Sequence, residues 1–172
     1  EGIAYVDGPP PQSAGGFGEE TCHKCHFEND LNDAAGSLGL EGIPESYAPE
    51  QQYLIEIVLE RPGMERGGFE LTARFAEGAR DGEQAGSLKP LGERVEVVTG
   101  ENTRVQYARQ TLSGSLPGPE GPANWTVRWT APEDASGPVR FNLAANASNY
   151  DASEFGDFVY TEEALSRPPR LL

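Results

Sequence analysis

The chain has 172 residues, 37% of them hydrophobic, and a formal net charge of −15. The length allows one domain with a real core plus some extension. The charge argues against a nucleic-acid partner, and no apolar run is long enough to span a membrane. Glycine (21) and proline (14) are abundant, which favours short strands and turns over long helices.

In chain order, residues 1–35 read as an irregular arm. Gly8-Pro9-Pro10-Pro11 favours polyproline II, and Gly15-Gly16-Phe17-Gly18 is a flexible run. The arm leads into Thr21-Cys22-His23-Lys24-Cys25-His26, which holds both cysteines and both histidines of the chain. C-x-x-C-H is the spacing at which two thiols add across neighbouring haem vinyl groups while the next histidine reaches the iron. One covalent haem c is therefore expected, with Cys22 and Cys25 as thioether anchors and His26 as proximal ligand. His23 is expected to point away from the iron. Two other readings stand beside this one. Cys22 and Cys25 form a redox disulfide, or the two cysteines and two histidines hold zinc, although so short a run does not easily wrap a tetrahedron. Phe27 to Ala35 reads as a turn or short helix.

From here the pattern is β. Ser37 to Leu40 is a short strand. Tyr53 to Leu59 follows, with residues 53, 55, 57 and 59 on one face. Arg61 to Gly68 is a loop holding Met64, the only methionine. Phe69 to Phe75 alternates apolar and polar residues, the mark of a half-buried strand. Residues 76–93 are turn-rich. Residues 94–99 and 103–108 are further strands, and 112–123 is loop. Trp125-Thr126-Val127-Arg128-Trp129 puts both tryptophans on one face and is expected to pack the core. Residues 139–144 and 157–161 complete the series, residues 146–156 form an acidic loop, and 166–172 is a proline-broken tail. Seven or more short strands spaced by turns predict an all-β antiparallel β-sandwich over residues 36–165.

Several blocks also resemble a known family in their order along the chain. Gly63-Met64-Glu65-Arg66-Gly67-Gly68-Phe69-Glu70-Leu71-Thr72-Ala73-Arg74 is similar to the central block of Reelin-domain-like proteins, whose bacterial relatives are called the choice-of-anchor V domain. Gly42-Ile43-Pro44, Tyr47-Ala48-Pro49, Trp129-Thr130-Ala131-Pro132, Val139-Arg140-Phe141 and Gly156-Asp157-Phe158-Val159-Tyr160 fit the same resemblance. So does the T-C-x-x-C-H block before the first strand. The resemblance implies an exported immunoglobulin-like sandwich and little about activity. Two departures are visible: this chain shows no C-terminal anchoring segment, and Gln110 stands where many relatives place a histidine after Tyr107.

For the second axial position of the iron, Met64 is the candidate, because its glycine-flanked loop would let a thioether approach the porphyrin. Packing into a gap is its ordinary alternative. Tyr47, Tyr107 and Tyr160 are weaker candidates. Asp151, Glu154 and Asp157, with Asn146 and Asn149, lie in the acidic loop, which lacks EF-hand spacing and reads as solvated rather than calcium-binding. No Ser-His-Asp set can be assembled with both histidines inside the motif, and no glycine loop opens a helix to cradle phosphate. The chain is therefore expected not to be an enzyme.

These features predict an exported monohaem c-type cytochrome, periplasmic or at the cell surface, acting in electron transfer. Its expected partner is a redox protein or membrane redox complex with a basic docking face. Covalent haem attachment implies export, and the start at Glu1 fits a processed chain, as a fragment boundary also would. An adhesion or assembly module with a structural haem is the alternative, its arm and tail clasping neighbours. A haem gas sensor is a third possibility.

Overall fold

The structure is a computed structural model describing residues 7–26, 29–118, 121–149 and 156–170. Its strands are β1 (Ala14–Gly16), β2 (Glu19–Thr21), β3 (Ser37–Glu41), β4 (Gln52–Glu60), β5 (Arg66–Phe75), β6 (Ser87–Pro90), β7 (Val95–Thr99), β8 (Gln106–Gln110), β9 (Ala123–Thr130), β10 (Val139–Ser148) and β11 (Phe158–Ser166). A five-stranded sheet of order β11-β10-β5-β8-β7 faces a four-stranded sheet of order β3-β4-β9-β6. All strand pairs are antiparallel. The architecture is the all-β antiparallel sandwich expected from the sequence. No helix among the described residues is long and apolar enough to cross a membrane.

The core forms because the pleat has period two. Ile55, Ile57 and Leu59 of β4 and Trp125, Val127 and Trp129 of β9 are buried from one sheet. Phe69, Leu71, Ala73 and Phe75 of β5 meet them from the other, with Phe141 and Leu143 of β10. Trp129 stands edge-on to Tyr47 and to Phe141, at centroid separations of 5.8 and 4.8 Å. Both indole N–H groups are satisfied, Trp125 donating to Gly114 O at 2.9 Å and Trp129 to Ala85 O at 3.0 Å. Both tryptophans thus pack the sandwich core, as the sequence predicts. Tyr47 is also core, donating to Gly137 O at 2.7 Å.

The two sheets differ in their outer faces. Leu54 and Glu56 of β4 are exposed, whereas β5 is buried on both faces from Phe69 to Ala73. The second cover is the N-terminal arm. Expected to be irregular, it is drawn into the β1–β2 hairpin, whose Gly15-Gly16-Phe17-Gly18 connection has positive φ throughout. Gly16 is required twice over. Its φ is +72°, and a Cβ there would overlap the Asn142 side chain on the outer face of β10. Ala14 buries against Val105 and Tyr107, and Ser13 N donates to Glu70 at 2.6 Å.

Some strand boundaries differ from expectation because cross-strand pairing between β5 and β10 overrides local turn signals. β10 runs on to Ser148, and β5 starts at Arg66 rather than at Phe69. Asn146 and Gly67-Gly68 look like turn residues in sequence, yet they pair across this ladder as Asn146↔Gly68 and Ala147↔Gly67. The fourth strand of the smaller sheet, β6, lies within residues expected to be turns. It is a short edge strand ending at Pro90, where a missing N–H costs nothing.

Candidate haem site

The C-x-x-C-H motif is a single turn of 3-10 helix, Cys22–Lys24, entered from β2. Thr21 caps it, its Oγ1 accepting from His23 N at 3.2 Å. The Cys22 carbonyl then accepts from Cys25 N at 3.2 Å and from His26 N at 3.0 Å. Side chains three apart eclipse in this geometry, so Cys22 and Cys25 emerge on the same side. Both thiols are free.

Cys22, Cys25 and His26 line one cavity of about 770 Å³, between the arm and the end of the larger sheet. Phe17, Phe69 and Tyr107 supply aromatic wall, and Gly67 and Gly68 lie along β5. The volume lies within the ordinary range for a cofactor site. A Cβ on Gly68 would press on the Gln110 amide 2.9 Å away. Both glycines of the pair line the cavity, whereas Met64 of the same block does not.

His26 is oriented by a residue far along the chain. Its Nδ1 lies 2.6 Å from Asp157 Oδ2, off the line of a straight hydrogen bond. The Asp157 side chain is 1% exposed. Asn29 donates to its carbonyl at 2.9 Å, and Asn146 Nδ2 and Asn149 N approach its carboxylate at 3.5 and 3.4 Å. With Nδ1 engaged by a carboxylate, Nε2 is the nitrogen left to serve a metal, the arrangement usual for metal-ligating histidines. Sequence reasoning set Asp157 in a solvated acidic loop. It is instead buried just before β11. Asp151 and Glu154 lie outside the described residues.

His23 is not among the cavity-lining residues, and its Nε2 lies 2.9 Å from Asn29 O. The four Cys and His side chains therefore do not converge as a zinc site requires. The Cys22 thiol is half-buried by surface, yet burial, then the charge of Glu70, push it up to about 12.

Met64 is partly buried against the main core and does not line the cavity. Tyr107 does line it, with its hydroxyl on Glu19 Oε1. Burial, then Glu19, raise the Tyr107 pKa and keep the phenol protonated. Tyr160 accepts from Arg61 at 2.7 Å. Gln110 lines the cavity, and its Oε1 accepts from Phe69 N at 2.9 Å. That bond lies beyond Glu70↔Arg109, the last β5–β8 pair in this direction.

Under the arm, Glu70 is fully buried. Burial raises its pKa from 4.5 to about 8, opposed by the backbone N–H of Ser13. Between those values the native state holds a proton that the unfolded chain releases, so stability falls as pH rises from about 4.5 to about 8. Glu70→Gln is expected to flatten that part of the stability curve in urea titrations. An unchanged slope would mean that Glu70 titrates normally.

The fold and site together define an antiparallel β-sandwich with a C-x-x-C-H turn docked beside a lined cavity. No family model matches the chain, and no curated protein matches it. Among solved structures it is similar to the reeler domain of human F-spondin, at 20% identity, covering 80% of this chain and 93% of that one, with a TM-score of 0.49. It is also similar to the Reelin-N domain of F-spondin, at 20% identity, 80% and 90% coverage and a TM-score of 0.48. A cohesin module from a Clostridium perfringens family 33 glycoside hydrolase is similar at 12% identity, 78% and 98% coverage and a TM-score of 0.46. No residue role is carried across from these proteins.

Proposed function

We propose that this chain is an exported monohaem c-type cytochrome acting in electron transfer, free or as a subunit of a larger redox complex. We also propose that its sandwich is of the Reelin-like, choice-of-anchor V kind. The observation that carries the haem reading is that Cys22, Cys25 and His26 line one cavity while buried Asp157 engages His26 Nδ1. The donor set fits a haem c. Cys22 and Cys25 would hold it through thioethers, and His26 would take the iron through Nε2. The bound group supplies reversible one-electron chemistry. The protein's part is to orient His26, to wall the site with Phe17 and Phe69, and to present a surface with a formal charge of −15, which suits a basic redox partner.

Asp157→Asn is expected to loosen His26 by about 10- to 100-fold. The readout is the imidazole concentration that displaces His26 in the haem-loaded protein. An unchanged titration would make Asp157 a bystander. The direct test of the function is a pyridine haemochrome spectrum of protein matured in an exporting host, followed by redox titration. A c-type signature with a reversible couple supports the proposal, and its absence defeats it.

The assembly alternative needs segments available to clasp neighbours. The described arm packs on its own sheet, and Arg167 pairs with Ser46 while exchanging backbone hydrogen bonds with Glu45 and Tyr47. Redox silence combined with tight self-association would favour that alternative.

A further inference from the structure

We propose that residues 7–21 are a strap that lifts off the outer face of the larger sheet when Glu70 gives up its proton, uncovering the cavity. This does not rest on the haem reading, and it concerns a local opening rather than the stability of the whole fold.

The strap is held mainly by polar contacts on a polar face. Among residues 7–21, Ala14 is the one buried hydrophobic side chain, packed against Val105 and Tyr107. Phe17 lies under the Arg74 guanidinium, 4.5 Å from its carbon to the ring centre. The other ties are hydrogen bonds and ion pairs. Ser13 N donates to Glu70 Oε1 at 2.6 Å, Arg109 Nη1 to Pro9 O at 2.7 Å and Arg74 Nη1 to Glu19 Oε1 at 2.8 Å. The Tyr107 hydroxyl donates to Glu19 as well. A segment with so little apolar burial opens at lower cost than the core beneath it. Its far end is anchored separately, since His26 meets Asp157 and His23 Nε2 lies 2.9 Å from Asn29 O. The pivot is therefore the Cys22–Lys24 turn.

Glu70 is the group on which this latch turns. It is fully buried, and among the described residues no donor reaches its Oε2. The cations on its face are already engaged. Arg109 of β8 pairs with Glu96 of β7 at 2.9 Å, Arg74 of β5 with Glu19 of β2, and Arg140 of β10 with Glu163 of β11 at 3.0 Å. Glu19 adds a like charge, whereas the Cys22 thiol and the Tyr107 phenol face Glu70 as neutral groups. Thr72 and Asn142, paired across β5 and β10, are uncharged neighbours on the same face. Burial outweighs the Ser13 and Gln12 N–H groups and Arg109, so Glu70 keeps its proton up to about pH 8. Lifting the strap returns the carboxyl to water, where its ordinary value is 4.5. Between those values opening releases a proton, so it becomes easier as pH rises. Residues 9–13 and 17–21 line the cavity of about 770 Å³, so lifting the strap takes away one of its walls and opens it to entering ligand.

The test is amide hydrogen exchange of the full chain, read by mass spectrometry as protection factors for peptides from residues 7–21 and from β4. The strap is expected to be at least about tenfold less protected than β4 across the range from about pH 5 to about pH 8. In the parent its protection is expected to fall with rising pH by up to about tenfold per unit, the slope of one released proton, and in Glu70→Gln to stay level. A strap as well protected as β4, a parent profile level with pH, or a Glu70→Gln variant that keeps the parent's slope overturns the proposal. Should that variant not fold, the parent's slope and the gap between strap and β4 still decide. None of these outcomes depends on whether the protein carries haem, so the strap and the cytochrome reading stand or fall separately.

Discussion

Replacing Cys22 and Cys25 together by serine is expected to yield a folded sandwich that retains no haem after denaturation. A thioether needs sulfur, so the loss is complete rather than graded. The fold should survive, because neither side chain belongs to a core cluster: Cys22 is half-buried and Cys25 exposed, both on the cavity side. Haem staining of a denaturing gel measures the covalent attachment, and urea unfolding measures the fold. The single Cys25→Ser variant is expected to keep one thioether and a displaced haemochrome band. If the double variant retains covalent haem, or if the parent never carries it, the cysteines have another task.

The second large effect belongs to the core. Trp129 is 0% exposed, sits edge-on to Tyr47 and Phe141, and donates its indole N–H to the Ala85 carbonyl. Trp129→Ala removes a large buried ring and is expected to cost about 3–5 kcal/mol. The stranded Ala85 carbonyl adds about 1–3 kcal/mol unless water reaches it. Against a typical total of about 5–15 kcal/mol, that is enough to leave much of the chain unfolded at body temperature. Trp129→Phe keeps ring packing and loses the donor, so it should fall well short of the alanine variant. A loss below about 1 kcal/mol for Trp129→Ala would contradict the central position of this ring.

The turn at Cys22–Lys24 and the inward faces of the strands were legible because their signals are local. Three-residue spacing sets Cys22 and Cys25 on one side of a tight turn, whatever the rest of the chain does. Alternation marks Ile55, Ile57 and Leu59, and likewise Trp125, Val127 and Trp129, because a pleat turns alternate side chains to opposite faces. The two-sheet arrangement follows, since each apolar face has to bury against another.

Tertiary structure decided everything that depends on which strands lie side by side. Asp157 reads as one more acid in a polar loop, and only the antiparallel return of β11 along β10 brings it to His26. Gly67 and Gly68 read as loop residues beside Met64, but the β5–β10 register makes them strand and sets them at the cavity. Glu70, Thr72 and Asn142 look solvent-facing by alternation, and they are buried because the arm folds back over that face. Local sequence reports which side of a strand is apolar. It carries no term for a distant segment that covers the polar side, because that contact is paid for by long-range loop closure and depends on the register of the whole sheet.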